Sequence, residues 1–265
     1  MTPLRLRGLL LSVLTLLPVV ASAQGFSALV SPPRFEDSAR AGETYRNVIE
    51  ITNVSDRSAT YLVRTTDWTF APDATIDFSE ALAPDSCRPW AGIEASQVAI
   101  AGNGKRRFRF EVAVPAGTPA GECRFALMIE GEPETTGGGV AMPVSGRIAV
   151  IVYLAVGDAA PALSIVGQRV AEVDGQALPV LTIRNAGNAH GRLAGFVDGV
   201  DAQGRKFAFA PGTLPILPGE ERDIALSPQP ASADEPPPQL AWPVRLRGRL
   251  ESGRERIDVD ATVAR

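Results

Sequence analysis

The sequence is poor in the side chains from which catalytic sites are most often built: its 265 residues include one histidine and two cysteines. His190 is the only imidazole available to activate a serine or cysteine, and a four-ligand zinc site would have to recruit carboxylates. An enzyme is therefore disfavoured. Charged residues make up only 21% of the chain and the formal net charge is −4, so the basic field that draws nucleic acid or anionic lipid is missing. Helical periodicity of useful length is missing as well. What remains is a chain that is 45% hydrophobic and carries 25 glycines and 22 prolines, a composition suited to a folded, turn-rich protein of one large or two modest domains.

The first residues, MTPLRLRGLLLSVLTLLPVVASAQ, combine Arg5 and Arg7, an apolar run from Gly8 to Val20, and the small residues Ala21-Ser22-Ala23. That plan predicts a secretory signal peptide over 1–23 with cleavage after Ala23, and the apolar run is shorter than the ~20 residues a membrane span needs. Removing 1–23, with its two arginines and no acids, takes the formal charge from −4 to −6. Export implies an oxidising compartment, in which Cys87 and Cys123 can pair. Their spacing is not the C-x-x-C of redox-active pairs, so a structural disulfide is expected.

From Ser27 onward apolar and polar residues alternate in short runs broken by Gly, Pro, Asn and Asp, the signature of strands and turns. Phe108, Phe110, Val112 and Val114 share one face, with Arg107, Arg109 and Glu111 on the other. Cys123 has the parity of Phe125, Leu127 and Ile129, which points it inward. Trp242, Val244 and Leu246, and later Ile257, Val259 and Val263, repeat the style. Each half offers about seven strands, enough for one β-sandwich. Their join is expected at Gly157-Asp158-Ala159-Ala160-Pro161, giving an N-terminal domain over 24–157 and a C-terminal domain over 158–265.

One segment is unlike the rest. In VAMPVSGRIAVIVYLAV, residues 140–156, Val140, Met142 and Val144 alternate with Ala141, Pro143 and Ser145, whereas both faces are apolar from Ile148 to Val156. A strand with two apolar faces is covered on both or awaits a cover. For 148–156 the cover can be the protein's own core and its other domain. For 140–147 that account is weaker, because Pro143 cannot donate to a ladder and favours an edge, and a Gly-rich loop precedes it. An apolar edge is an aggregation hazard unless it is lent to another chain.

SPPRFEDSARAGETYRNVIEITNVSDRSATYLVRTTDW (31–68), RFRFEVAVPAGTPAGECRFALMIEGEP (107–133) and the strand ending in Tyr153 resemble the N-terminal domain of the periplasmic PapD-like pilus chaperones. The likeness lies in order and spacing: a first strand bearing Arg34, a strand leading to Asn53, the turn at Val114-Pro115, and the strand from Phe125 to Glu130. LPGEERDIAL (217–226) is similar to a late strand of that family's second domain. The resemblance implies an all-β fold of two tandem immunoglobulin-like β-sandwich domains. It further implies a periplasmic chaperone that binds pilus or surface-fibre subunits by lending them a strand and delivers them to an outer-membrane usher. No cofactor, metal or nucleic acid would be needed, nor any stable membrane insertion.

The lent side chains would be Val140, Met142, Val144 and Ile148. In that family two basic residues hold the subunit's terminal carboxylate. Arg34 matches the first, and its guanidinium suits a bidentate contact. The position of the second is Val150 here, a departure, with Arg147 the nearest basic residue on the strand but of opposite parity. The family's Tyr-Arg-Pro strand ending is also replaced, by Tyr153-Leu154-Ala155, which leaves the domain–domain contact of that arginine unaccounted for. A structural or adhesive tandem sandwich that uses the same exposed strand for its own assembly is the alternative reading.

Other candidate chemistry is thin. His190, in a polar turn, has no partner that the sequence places beside it. Asp198 and Asp201 lack EF-hand spacing and suit turns. Lys105-Arg106-Arg107-Phe108-Arg109 reads as the wet face of a strand.

Overall fold

The computed structural model describes residues 27–71, 75–132, 134–135, 143–230, 232 and 238–265. The expected signal peptide therefore lies outside the described residues, as do Val140 and Met142. Among the described residues no helix is long and apolar enough to cross a membrane, and the single helical turn is Arg88–Trp90.

The first half runs through β1 (Ala28–Ser31), β2 (Arg34–Ala39), β3 (Thr44–Asn53), β4 (Ala59–Phe70), β5 (Ile76–Ser79), β6 (Ala91–Ile93), β7 (Gln97–Ile100), β8 (Lys105–Ala113), β9 (Gly121–Gly131), β10 (Glu134–Thr135), β11 (Pro143–Val144) and β12 (Arg147–Val156). One sheet has the order β1-β3-β8-β6 and the other β2-β12-β9-β4-β5, with β7 also on β4; β10 and β11 form a separate small ribbon. This is more strands than the seven expected: two edge segments change sheets and so count twice, and β5, β10 and β11 are short additions. Pro32 and Pro33 offer no backbone N–H, so the run 28–39 breaks there: β1 pairs β3 in one sheet and β2 pairs β12 in the other. Arg34 consequently stands on the second strand, not the first. Likewise β6 pairs β8, and β7, three residues later, pairs β4.

The predicted alternation is obeyed. Phe108, Phe110, Val112 and Val114 enter one core with Cys123, Phe125, Leu127 and Ile129. The outward Lys105 pairs with Glu50, and Arg106 and Arg109 with Glu94, so the basic run is a solvated face. Cys87 and Cys123 form a disulfide with their Cα atoms 5.5 Å apart, as expected.

The second half comprises β13 (Leu163–Val173), β14 (Gln176–Asn185), β15 (Val197–Val200), β16 (Lys206–Pro211), β17 (Glu221–Pro228), β18 (Val244–Ser252) and β19 (Glu255–Val263), hydrogen-bonded in the order β13-β14-β17-β16-β15-β18-β19. β17 turns the corner, pairing with β14 over Glu221–Ala225 and with β16 over Leu226–Pro228. Its two faces enclose a core that includes Leu181, Ile183, Phe209, Leu226, Leu246 and Val259 and shares no residue with the first. The protein is thus all-β, two immunoglobulin-like sandwiches in tandem. The chain passes between them through Gly157, whose φ of +64° is a left-handed conformation that glycine adopts without cost.

A third, smaller cluster sits between the two cores: Trp68, Ala126 and Tyr153 from the first half with Leu217 from the second, flanked by Phe70, Ala149 and Ile151. The two apolar faces of β12 are thereby explained over 151–156. Val152, Leu154 and Val156 face the strand's own core, while Ile151 and Tyr153 face the junction.

Candidate functional site

β12 is paired along its whole length on one side and only in part on the other. Every residue from Arg147 to Val156 has a partner on β9, from Arg147↔Glu130 to Val156↔Gly121. The parallel pairing with β2 begins only at Ile151↔Arg34, with the Ile151 N–H donating to the Pro33 carbonyl at 3.3 Å. Among the described residues, Arg147–Val150 thus has an open edge. Strand geometry makes it ~13 Å long. The cause is local: β2 cannot start earlier, because its two preceding residues are prolines crossing from the opposite sheet.

Backbone alternation decides which groups face that edge. Ile151 donates toward β2, so Arg147 and Ala149, four and two residues earlier, present their N–H and C=O groups to the open side, while Ile148 and Val150 face β9. The side chains alternate perpendicular to the sheet. Ile148 is half-buried opposite Ile129, and Val150, opposite Leu127, is 0% exposed within the first core. In the free protein the side chain of Val150 is thus enclosed in the protein's own first core, on the same strand face as the half-buried Ile148. Arg147 is exposed opposite Glu130, whose carboxylate is already engaged by Arg64 at 2.6 Å. Upstream, Val144 pairs with Glu134 in the small ribbon.

Arg34 lies at the lower end of this edge. Its side chain is 49% exposed and its Nε is 2.7 Å from Glu36 Oε1. The same oxygen accepts a hydrogen bond of 3.0 Å from Nε of Arg192, a residue of the second half. Two guanidinium groups from opposite halves therefore meet on one carboxylate. Burial alone would raise the Glu36 carboxyl, but the charge and hydrogen bond of Arg192, with Arg34 and His190, hold it below its ordinary range. Arg192 also lies over the Tyr153 ring, 5.7 Å from its centroid, and donates to the Thr213 carbonyl at 2.6 Å.

His190 completes the junction, and here the expectation of a partnerless loop histidine is corrected. Its backbone N–H donates to Glu122 Oε2 at 2.9 Å, its Nδ1 is hydrogen-bonded to that oxygen, and its Nε2 is 3.5 Å from Glu36 Oε1. The ring stacks on Tyr153 with centroids 3.9 Å apart. Tyr153 is buried there, which pushes its hydroxyl up to about 12 and keeps it neutral. Glu122 is 2% exposed, and Arg124 Nη1 is 3.6 Å from its Oε1. Asn188, two residues before His190, donates to the Ala120 carbonyl at 2.9 Å. Three guanidinium groups (Arg34, Arg124 and Arg192) and one imidazole thus surround two carboxylates, leaving local positive charge beside the open edge. Nothing local in the sequence marks His190 or Arg192 as members of this site. They are brought to Glu122 and Glu36 across 68 and 156 residues.

Next to the junction an open groove of about 1010 Å³ runs between Phe70 and the outer face of β13, β14 and β17, with Leu214 on one wall. Arg222 also lines it, its guanidinium 4.3 Å from the centre of the Phe70 ring.

No protein-family model matches the chain, and no curated protein matches it in sequence. It is similar in structure to bacterial chaperones. The YadV chaperone matches over 89% of this chain and 99% of its own, with 8% identity and a TM-score of 0.47. The CsuC–CsuE chaperone–tip adhesion subunit pre-assembly complex, from the archaic chaperone-usher Csu pili of Acinetobacter baumannii, matches over 90% and 100%, with 15% identity and a TM-score of 0.46. The CupB2 chaperone of Pseudomonas aeruginosa matches over 89% and 100%, with 12% identity and a TM-score of 0.46.

Proposed function

We propose that this protein is a chaperone of pilus or surface-fibre subunits, a divergent PapD-like one, which works in the periplasm after cleavage of residues 1–23. In this reading residues 24–157 form the subunit-binding domain and 158–265 the second domain, and the loaded chaperone delivers its subunit to an outer-membrane usher. It acts without catalysis: an incomplete subunit is completed by a strand lent to it.

The observation that carries this reading is the open edge of β12 at Arg147–Val150. A sheet edge with unsatisfied backbone groups is a template for another strand, and this one is the end of the segment whose upstream residues alternate apolar and small. Val140, Met142 and Val144, with Ile148, are assigned to enter the subunit's groove. Their burial drives capture at roughly 25 cal/mol per Å² of apolar surface, less the cost of ordering. Arg34 is assigned to the subunit's terminal carboxylate. The second-cation role, vacant at Val150 and expected of Arg147, is assigned instead to Arg192, which already shares an acceptor with Arg34.

The test is co-expression with a pilus subunit that lacks its last strand, followed by purification through a tag on the subunit. The native chain is expected to co-purify. Met142→Asp combined with Val144→Asp is expected to abolish the complex while leaving the chaperone's thermal unfolding unchanged, because two charges would have to enter an apolar groove. Survival of the complex would remove the strand-lending assignment.

A further inference from the structure

The junction between the two halves contains the chain's single histidine, and charged or titratable groups from several elements gather around it. β9 contributes Glu122 and Arg124, β2 contributes Glu36 and Arg34, β12 contributes Tyr153, and the loop of His190 itself contributes Arg192. The imidazole is 12% exposed, so water cannot substitute freely for these partners.

We propose that His190 is a proton-operated latch between the two sandwiches, which holds them most tightly when its imidazole carries a proton and loosens them as pH rises. The geometry requires a direction. Nδ1 faces Glu122 Oε2, and Nε2 lies 3.5 Å from Glu36 Oε1. A neutral imidazole has one N–H and one lone pair, so in either tautomer one ring nitrogen turns a lone pair toward a carboxylate oxygen. The imidazolium presents an N–H to both. The guanidinium groups of Arg34, Arg124 and Arg192 oppose an added positive charge, but they keep theirs at every pH of interest and so set a constant background. Tyr153 stays neutral through the same range. Of the side-chain types assembled here, imidazole alone ordinarily changes charge between about pH 5 and pH 8.

The inference stands apart from the chaperone reading, since it concerns only how the two halves are joined. It uses the fact that one histidine gives one set of imidazole resonances. The purified chain is titrated between about pH 5 and pH 8, following the imidazole by NMR and the radius of gyration by small-angle scattering on the same samples. The radius is expected to increase as the imidazole loses its proton, with a shared midpoint. His190→Gln is expected to show an expanded radius at every pH, and His190→Arg, permanently charged, a compact one. A radius that stays constant through the titration of the native imidazole overturns the proposal. So does a pH-dependent radius of unchanged midpoint in His190→Gln.

Discussion

Asn53 and Asn185 hold the same position in the two sandwiches. Each ends a long strand, β3 in one and β14 in the other, and each is completely buried. The amide nitrogen of Asn53 donates to the carbonyls of Arg57, Ile100 and Ala101, and that of Asn185 to those of Ala189 and Ile216. Each carbonyl oxygen accepts the N–H two residues further on, of Ser55 and of Gly187. The turn after Asn185 also demands glycine, since a Cβ on Gly187 would lie 2.3 Å from the Ala160 carbonyl oxygen. One polar side chain in each half thus ties a strand end to the loops around it.

Replacing either asparagine removes a donor from several carbonyls and takes the side-chain acceptor from the N–H of Ser55 in one half and from those of Ala162 and Gly187 in the other. Asn53→Ala and Asn185→Ala are each expected to destabilise the chain by about 3 kcal/mol, and to do so additively because the two networks share no group. Urea unfolding of the single and double variants checks both statements.

The Cys87–Cys123 bridge closes a loop of 36 residues between the β6 approach and β9. In the chain-entropy account such a cross-link contributes about 4 kcal/mol. Urea denaturation with and without reductant should show a loss of that order, and the Cys87→Ser, Cys123→Ser double variant should match the reduced protein and no longer respond to reductant.

Glu36 governs the acid side of the junction. Its carboxyl is held below the ordinary value of 4.5 in the folded chain, against the upward push of burial, by Arg192 first and then Arg34 and His190. A carboxyl lowered on folding contributes stability that is fully present above its unfolded value and is lost as pH falls through its folded value. Thermal unfolding is therefore expected to weaken progressively as pH drops below 4.5, and Glu36→Gln is expected to flatten that acid dependence while lowering the midpoint at neutral pH. Melting curves from neutral pH into the acid range measure it.

The fold was legible in the sequence wherever a short-range pattern sets it. Alternation placed Phe108, Phe125, Leu127, Val244 and Val259 in their cores, and the parity of Cys123 foretold a buried bridge. The paired apolar faces of Ile148 to Val156 pointed to a strand covered twice, which the structure shows over 151–156. What parity could not settle was which neighbour stands beside each strand. Arg34 was visible as a basic residue, but not that Glu36 would hold it together with Arg192. Val150 could be counted as a departure from a family pattern, yet only the pairing with Leu127 shows it turned into the core. His190 had no partner in its own turn, because its partners come from β2, β9 and β12 in the other sandwich. Such contacts depend on how two finished domains meet, a relationship that no local periodicity encodes.

The central claim is that the open edge at Arg147–Val150 receives a strand of a bound subunit, and the backbone amide of Ala149 reports on it most directly. That N–H faces the open side, whereas the amide of Val150 faces β9. Amide hydrogen exchange at single-residue resolution, in the free chain and in a purified complex with a pilus subunit, separates the two. The account predicts that Ala149 exchanges quickly when free and becomes strongly protected in the complex, while Val150 is protected in both. A complex in which the Ala149 amide exchanges as fast as in the free chain would contradict it.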